Sequence, residues 1–173
     1  MGLLRNRGDE AAVGSRYRMR QRLLSIGDDY WIEHEDGSRA FRVDGKALRI
    51  RKTLVLEDTT GREVAKLQER KLSVRDRMEI ERDGHSIATV KKALVGIRDR
   101  FTIEVEGGPD LKAKGNLVDH EYEIERDGDT VASVSKQWFR VRDTYGVEIA
   151  SGEDAPLVLA ITVCIDAMSH PRD

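Results

Sequence analysis

Four histidines, one cysteine and several closely spaced carboxylates are the residues of this 173-residue chain that could do chemistry. His34, His85, His120 and His170 are scattered, and none stands at a spacing that would bring ligands onto one metal ion. No metal site and no cofactor is therefore expected. His85 follows an Asp-Gly pair, the place of a solvated turn tip, and His120 stands beside Asp119 at the start of a strand-like run. A general base needs a nucleophile or a substrate group within hydrogen-bond reach, and the sequence supplies neither histidine with one. Cys164 lies between Val163 and Ile165 and reads as a buried structural thiol. Gly107-Gly108 is a turn without the lysine of a phosphate loop. The carboxylate pairs Glu79/Glu81 and Glu123/Glu125 alternate with apolar residues, so a solvated strand face explains them better than acid–base catalysis. No enzyme is expected.

Composition narrows the classes further. The chain is 39% hydrophobic and 36% charged, with a net charge of −2, which excludes a polybasic nucleic-acid binder. Aromatic content of 5% is low for a base-stacking surface. A single cysteine excludes an internal disulfide, and a reducing compartment, the cytoplasm, is the default. The first fifteen residues, MGLLRNRGDEAAVGS, lack the apolar core of a signal peptide. They also carry Asn6 where a myristoylation signal wants Ser or Thr. Residues 1–15 are expected to be a mobile tail, and residues 16–173 a single domain.

The elements that must position these groups are announced by a repeat. EIERDG stands at Glu79–Gly84 and again at Glu123–Gly128. Each copy begins a longer unit, Met78–Lys92 and Tyr122–Lys136: an alternating run, an Asp-Gly turn, and a second run ending in lysine. Period-2 alternation is the signature of a strand with one buried face, and Asp-Gly tolerates the positive φ of a tight hairpin. Looser versions recur at Tyr30–Val43, Thr53–Gln68 and Phe101–Lys114, with a period of roughly 22 residues. The strand-like runs Arg16–Leu24 and Thr144–Ala150 flank these five hairpins. The sum is twelve antiparallel strands. An open sheet of that size would curl, and closure removes its edges, so a closed barrel is expected.

Residues Pro156–Ser169, PLVLAITVCIDAMS, are apolar on every side and too long for an ordinary strand. Asp154 fits an N-cap and Pro156 a first helical turn. The stretch gives only about 20 Å of helix against the roughly 30 Å of a bilayer core. A twelve-stranded barrel is too wide for its own side chains to fill, and this helix is the only candidate for its lumen. Asp166 is expected near the exit, where its charge meets water or a partner.

The hairpin wording, YWIEHEDGSRAFRV followed by TLVLEDTTGREVAKLQERKLSVRD, resembles the LURP-one-related (YxjI-type) family from about Arg16 to Ser169. The resemblance implies a mainly β, Tubby C-terminal-like fold, a twelve-stranded antiparallel barrel around a hydrophobic C-terminal α-helix. It implies no established enzymatic activity. Tubby proteins, relatives in fold, bind phosphoinositide head groups, and phospholipid scramblases are related too, but fold alone does not transfer function.

Charge is distributed unevenly along each hairpin. Turns carry acid, as at Glu33, Glu35, Asp36, Glu57, Asp58, Asp83 and Asp127. Links carry base: Arg49, Arg51, Lys52, Arg70, Lys71, Lys91, Lys92, Lys136, Arg140 and Arg142. In an up-and-down barrel all links of one kind fall at one end, so these ten residues are the candidate site for an anionic ligand. The leading expectation is a non-enzymatic binding or scaffold module. It would recognise anionic phospholipid head groups, peripherally at a membrane surface, or a protein partner, but no nucleic acid. The alternatives are a scramblase-like protein with an inserting helix and, last, an enzyme of unknown activity.

Overall fold

The structure is a computed structural model that describes residues 14–20, 29–45, 53–70, 77–95, 98–139 and 143–169, with backbone only at 94–95 and 98–99. The strands are β1 (Ser15–Arg20), β2 (Tyr30–His34), β3 (Arg39–Gly45), β4 (Thr53–Asp58), β5 (Glu63–Glu69) and β6 (Arg77–Arg82). They continue as β7 (His85–Val95), β8 (Arg98–Val105), β9 (Leu111–Asn116), β10 (Glu121–Arg126), β11 (Asp129–Ser135) and β12 (Thr144–Ile149), followed by the helix α1 (Ala155–Ser169). Every strand pairs antiparallel with its neighbours in sequence, and β12 returns to β1 from Ser15↔Ile149 to Arg20↔Thr144. The expected closed twelve-stranded barrel is thus the observed one. β1 is described only to Arg20, short of the Leu24 expected from alternation, because residues 21–28 lie outside the described residues.

The alternation works as a strand face should. Met78 and Ile80 are buried, while Glu79 and Glu81 reach the outer surface and pair with Arg70 and Lys66. Both Asp-Gly pairs form tight turns with positive φ at each residue, 52° and 77° at Asp83-Gly84 and 51° and 89° at Asp127-Gly128. That is the mirror-image turn whose twist matches the strands it joins. Four hairpins also share a bulge at one place, where the register shifts at Ile32/Glu33, Leu56/Glu57, Ile80/Glu81 and Ile124/Glu125. A bulge bends its strand and increases local twist, and four in equivalent positions curl the sheet towards closure.

The helix fills the lumen. Its residues from Val158 through Met168 are all buried among the inward side chains of the barrel. Burial of each large apolar side chain contributes roughly 1.5–3 kcal/mol before entropy. Asp154 is the N-cap as expected, its Oδ1 accepting from the Leu157 N–H at 3.1 Å. The EIERDG copies have a further role here. Arg82, from the first copy, donates to both carboxylate oxygens of Asp154 at 2.8 and 3.0 Å. Arg126, from the second, donates to both of Glu153 at 2.8 and 2.9 Å. Two repeats therefore hold two consecutive carboxylates at the mouth through which the helix enters.

Asp166 lies towards the exit, as expected, and of the two expected surroundings, water or a partner, it has the second: it is fully buried and meets His120 and Tyr145.

Candidate functional site

The five hairpin turns and the start of α1 lie at one end of the barrel; the links and the end of α1 lie at the other. Arg70 follows β5, Lys91 stands opposite Arg77 at the start of β6 with Lys92 next to it, and Lys136 follows β11. Those four candidate residues therefore share the link end. The other six, Arg49, Arg51, Lys52, Lys71, Arg140 and Arg142, lie outside the described residues.

Three of the four described bases are tied to the barrel by their side chains. Arg70 pairs with Glu79. The Lys91 ammonium lies 2.5 Å from Glu104 Oε1. The Lys92 ammonium donates to the Met168 carbonyl at 3.4 Å, next to the last residue of α1, where a cation suits the negative helix terminus. The Lys136 backbone N–H donates to Glu121 Oε1 at 2.9 Å, and its side chain has no ion pair among the described residues. Exposed pairs of the Lys91–Glu104 kind are worth only about 0–1 kcal/mol, so they exchange readily for another anion. The hairpin end is less uniformly acidic than the turns alone imply, because Arg16, Arg82 and Arg126 pair with Glu35 and Glu148, Asp154 and Glu153.

Beneath the link end lies a buried polar cluster that sequence reasoning did not assemble. His120 has φ of 55° in the β9–β10 link, which turns its side chain into the barrel with no exposed surface. Its Nε2 lies 2.7 Å from Asp166 Oδ1, and its ring stacks on Tyr145 with centroids 4.2 Å apart. The Tyr145 hydroxyl donates to the other oxygen of Asp166. Tyr122 faces Thr162 of the helix. Burial, and then the Asp166 carboxylate, push the hydroxyls of Tyr30, Tyr122 and Tyr145 well above the usual phenol range. They stay protonated, and of the three Tyr145 donates to the carboxylate. The signal in the sequence was a lone acid in an apolar helix together with tyrosines near the link-end starts of β2, β10 and β12. The cluster is sealed from solvent, so it supports the fold and presents no reacting group to a ligand.

On the outer wall, Trp138 and Phe139 lie across Gly146, where a Cβ atom would come within 2.8 Å of both rings. Arg16 stacks over Trp138 and Arg18 over Phe139. His85 is exposed at the start of β7, directly after the Asp83-Gly84 turn, and Cys164 is buried, as expected. Among the described residues, no three His, Cys, Asp or Glu side chains are placed to hold a metal ion. No helix among them is long and apolar enough to cross a membrane.

No curated protein matches the chain in sequence. Its structure is similar to the X-ray structure of an Arabidopsis thaliana protein, with a TM-score of 0.68 at 17% identity over 92% of this chain and 95% of that one. The likeness shows the fold, a Tubby-like barrel threaded by its last helix. Such a barrel and its family suggest a binding or scaffold module. The family match runs over residues 15–166, from the first strand to the buried Asp166, and by that match the chain belongs to the LURP-one-related family.

Proposed function

We propose that this protein is a non-enzymatic binding module whose link end recognises anionic head groups at a membrane surface. The observation that carries the reading is the convergence of Arg70, Lys91, Lys92 and Lys136, from three separate strands, on one end of the barrel. The interior is occupied by α1 and by the sealed tyrosine–histidine–aspartate cluster, so a ligand meets the outside. Anionic head groups are the chemistry a cationic rim attracts, at about 1 kcal/mol per basic residue near the surface. A scramblase-like insertion of α1 has less support, since releasing the helix would expose its buried residues and open the barrel.

The test is co-sedimentation with vesicles of phosphatidylcholine alone and with added phosphatidylserine. The chain should follow the anionic vesicles, less so as salt rises, because exposed charges are screened within about 8–10 Å at physiological ionic strength. Lys91→Ser/Lys92→Ser/Lys136→Ser should weaken sedimentation, whereas Lys112→Ser, an exposed lysine on the wall of β9, should weaken it less. A wild-type protein that ignores anionic vesicles even at low salt overturns the lipid reading in favour of a protein partner.

A further inference from the structure

The β9–β10 link, Leu117–His120, faces two ways. Val118 is 49% accessible and Asp119 is exposed, whereas Leu117 and His120 are buried. The base of the link is fixed. Gly115 lies so close to β10 that a Cβ atom would stand 2.6 Å from the Glu121 carbonyl oxygen. The Glu121 carboxylate in turn accepts from the Ser135 hydroxyl at 3.1 Å and from the Lys136 N–H at 2.9 Å. Within the link, the Asn116 side chain holds Asp119 on the outside at 2.7 Å. His120 holds the inside, its Nε2 lying 2.7 Å from Asp166 Oδ1 of α1.

The backbone adds a second observation. His120 has a left-handed φ of 55°, and the other described left-handed residues besides glycine, Asp83, Asp127 and Asp143, are all exposed. A buried histidine stays in that region only because its surroundings hold it, and such conformations concentrate at switch regions. What holds this one is a carboxylate in a site without water. The titratable neighbours of the pair are the Tyr145 hydroxyl of β12, which donates to Asp166, and the Tyr30 and Tyr122 hydroxyls of β2 and β10, all uncharged. The charged groups at the same mouth have partners of their own: Lys92 of β7 on the Met168 carbonyl, Glu121 on Ser135 and Lys136, and Asp119 on Asn116. The site therefore accommodates a carboxylate beside an imidazole or an imidazolium. It does not accommodate an imidazolium beside a neutral acid, which leaves a buried cation without an anion.

We infer that the β9–β10 link is an acid-released latch: His120 pins it to Asp166 while that carboxylate is ionised, and a further proton on the pair drives His120 out into water. The motion is confined to residues 116–120, above the fixed contact of Gly115 with Glu121. It leaves α1 in the barrel, because Arg82 and Arg126 hold the other end of the helix through Asp154 and Glu153. Opening brings an imidazolium and the Leu117 side chain to the link end, beside Lys136. An imidazole in water is a cation below about pH 6.5. The pair gains at least one proton on opening, so the ratio of open to closed link rises about tenfold or more for each unit of falling pH. The latch is a control on the link-end surface and holds whichever anion that surface takes.

A nitroxide on Val118→Cys of the full chain tests the latch, Cys164 being buried and unreactive in the folded protein. Its electron spin resonance spectrum should gain a mobile component as pH falls from 7 to 4 and lose it on return to pH 7. The same label at Lys112→Cys, exposed on the wall of β9, should not change. Circular dichroism of the same samples reports whether the barrel is intact. Added to the labelled chain, His120→Gln, which cannot take up the proton, should keep the label immobile throughout. Asp166→Asn, which removes the anion, should move release to higher pH, since protonating His120 alone then strands a cation. A label at position 118 that stays unchanged to pH 4 overturns the latch. So does a mobile component that His120→Gln shows equally, or one that appears only as circular dichroism is lost, because the whole barrel then opens. If either variant fails to fold, the titration of the chain labelled at position 118 alone, read beside its circular dichroism, decides the matter.

Discussion

Arg82 and Asp154 are 72 residues apart in sequence and joined by two parallel hydrogen bonds, 2.8 and 3.0 Å long, where α1 enters the barrel. Asp154 thereby performs two tasks at once, capping the helix and anchoring it to the β6–β7 turn. Burial alone would raise its pKa. The Arg82 hydrogen bonds, the Leu157 N–H and the Arg82 charge outweigh that and hold the carboxyl below the usual aspartate range.

A carboxylate with a depressed folded pKa contributes stability that is present above its unfolded value, about 3.9, and is lost as pH falls through the lower folded value. Asp154→Asn, which keeps the cap but not the charge, should therefore be less stable than wild type at pH 7. The gap should close as pH drops below about 4. Arg82→Met should cost about 1 kcal/mol at neutral pH, since the pair is partly exposed. Urea titrations at a series of pH values check both. Curves for wild type and Asp154→Asn that stay parallel down to acid pH would show that the ion pair contributes nothing.

The buried cluster should be far more sensitive. His120→Ala removes a partner of a carboxylate that has no access to water, and an uncompensated buried charge costs about 3–5 kcal/mol. The double substitution His120→Ala/Asp166→Ala should lose less than the sum of its two single changes, because the pair shares one interaction. The same cluster has a signature at high pH. Three of the four tyrosines, Tyr30, Tyr122 and Tyr145, have raised pKa values, so they should ionise only as the barrel unfolds. Their unfolded forms ionise near pH 10, so stability should fall above that pH and not below it. Ultraviolet difference absorbance recorded beside circular dichroism checks this, and tyrosinate appearing while the fold is intact would contradict it.

The turns of the two EIERDG copies depend on backbone conformation alone. Gly84 and Gly128 have φ of 77° and 89° and no atom within 4 Å of where a Cβ would stand. A side chain there meets no neighbour, yet a β-branched residue resists the left-handed region. Gly84→Val and Gly128→Val should each destabilise by roughly 1–3 kcal/mol in denaturant titrations. Two neutral substitutions would mean that the turns relax into another type.

Much of this architecture is local and was legible for that reason. Alternation at Met78–Arg82 states which face of the strand is buried, Asp83-Gly84 states where the chain reverses, and a largely apolar Leu157–Met168 states that a helix must be enclosed. Each inference needs only residues a few positions apart. The charge pattern was legible in the same way, and the barrel topology places Arg70, Lys91, Lys92 and Lys136 at one end.

Tertiary structure decided which partner each polar side chain would have. Nothing near Arg82 or Arg126 in sequence points to Asp154 or Glu153, because those contacts exist only once the hairpins stand beside the mouth of the closed barrel. Asp166 was visible as an anomaly, and its environment was not. His120, Tyr30, Tyr122 and Tyr145 converge on it from separate parts of the chain, through strand register and one left-handed residue. Hydrophobic pattern is carried by each segment on its own, whereas a hydrogen-bond partner is set by geometry that the whole barrel imposes at closure.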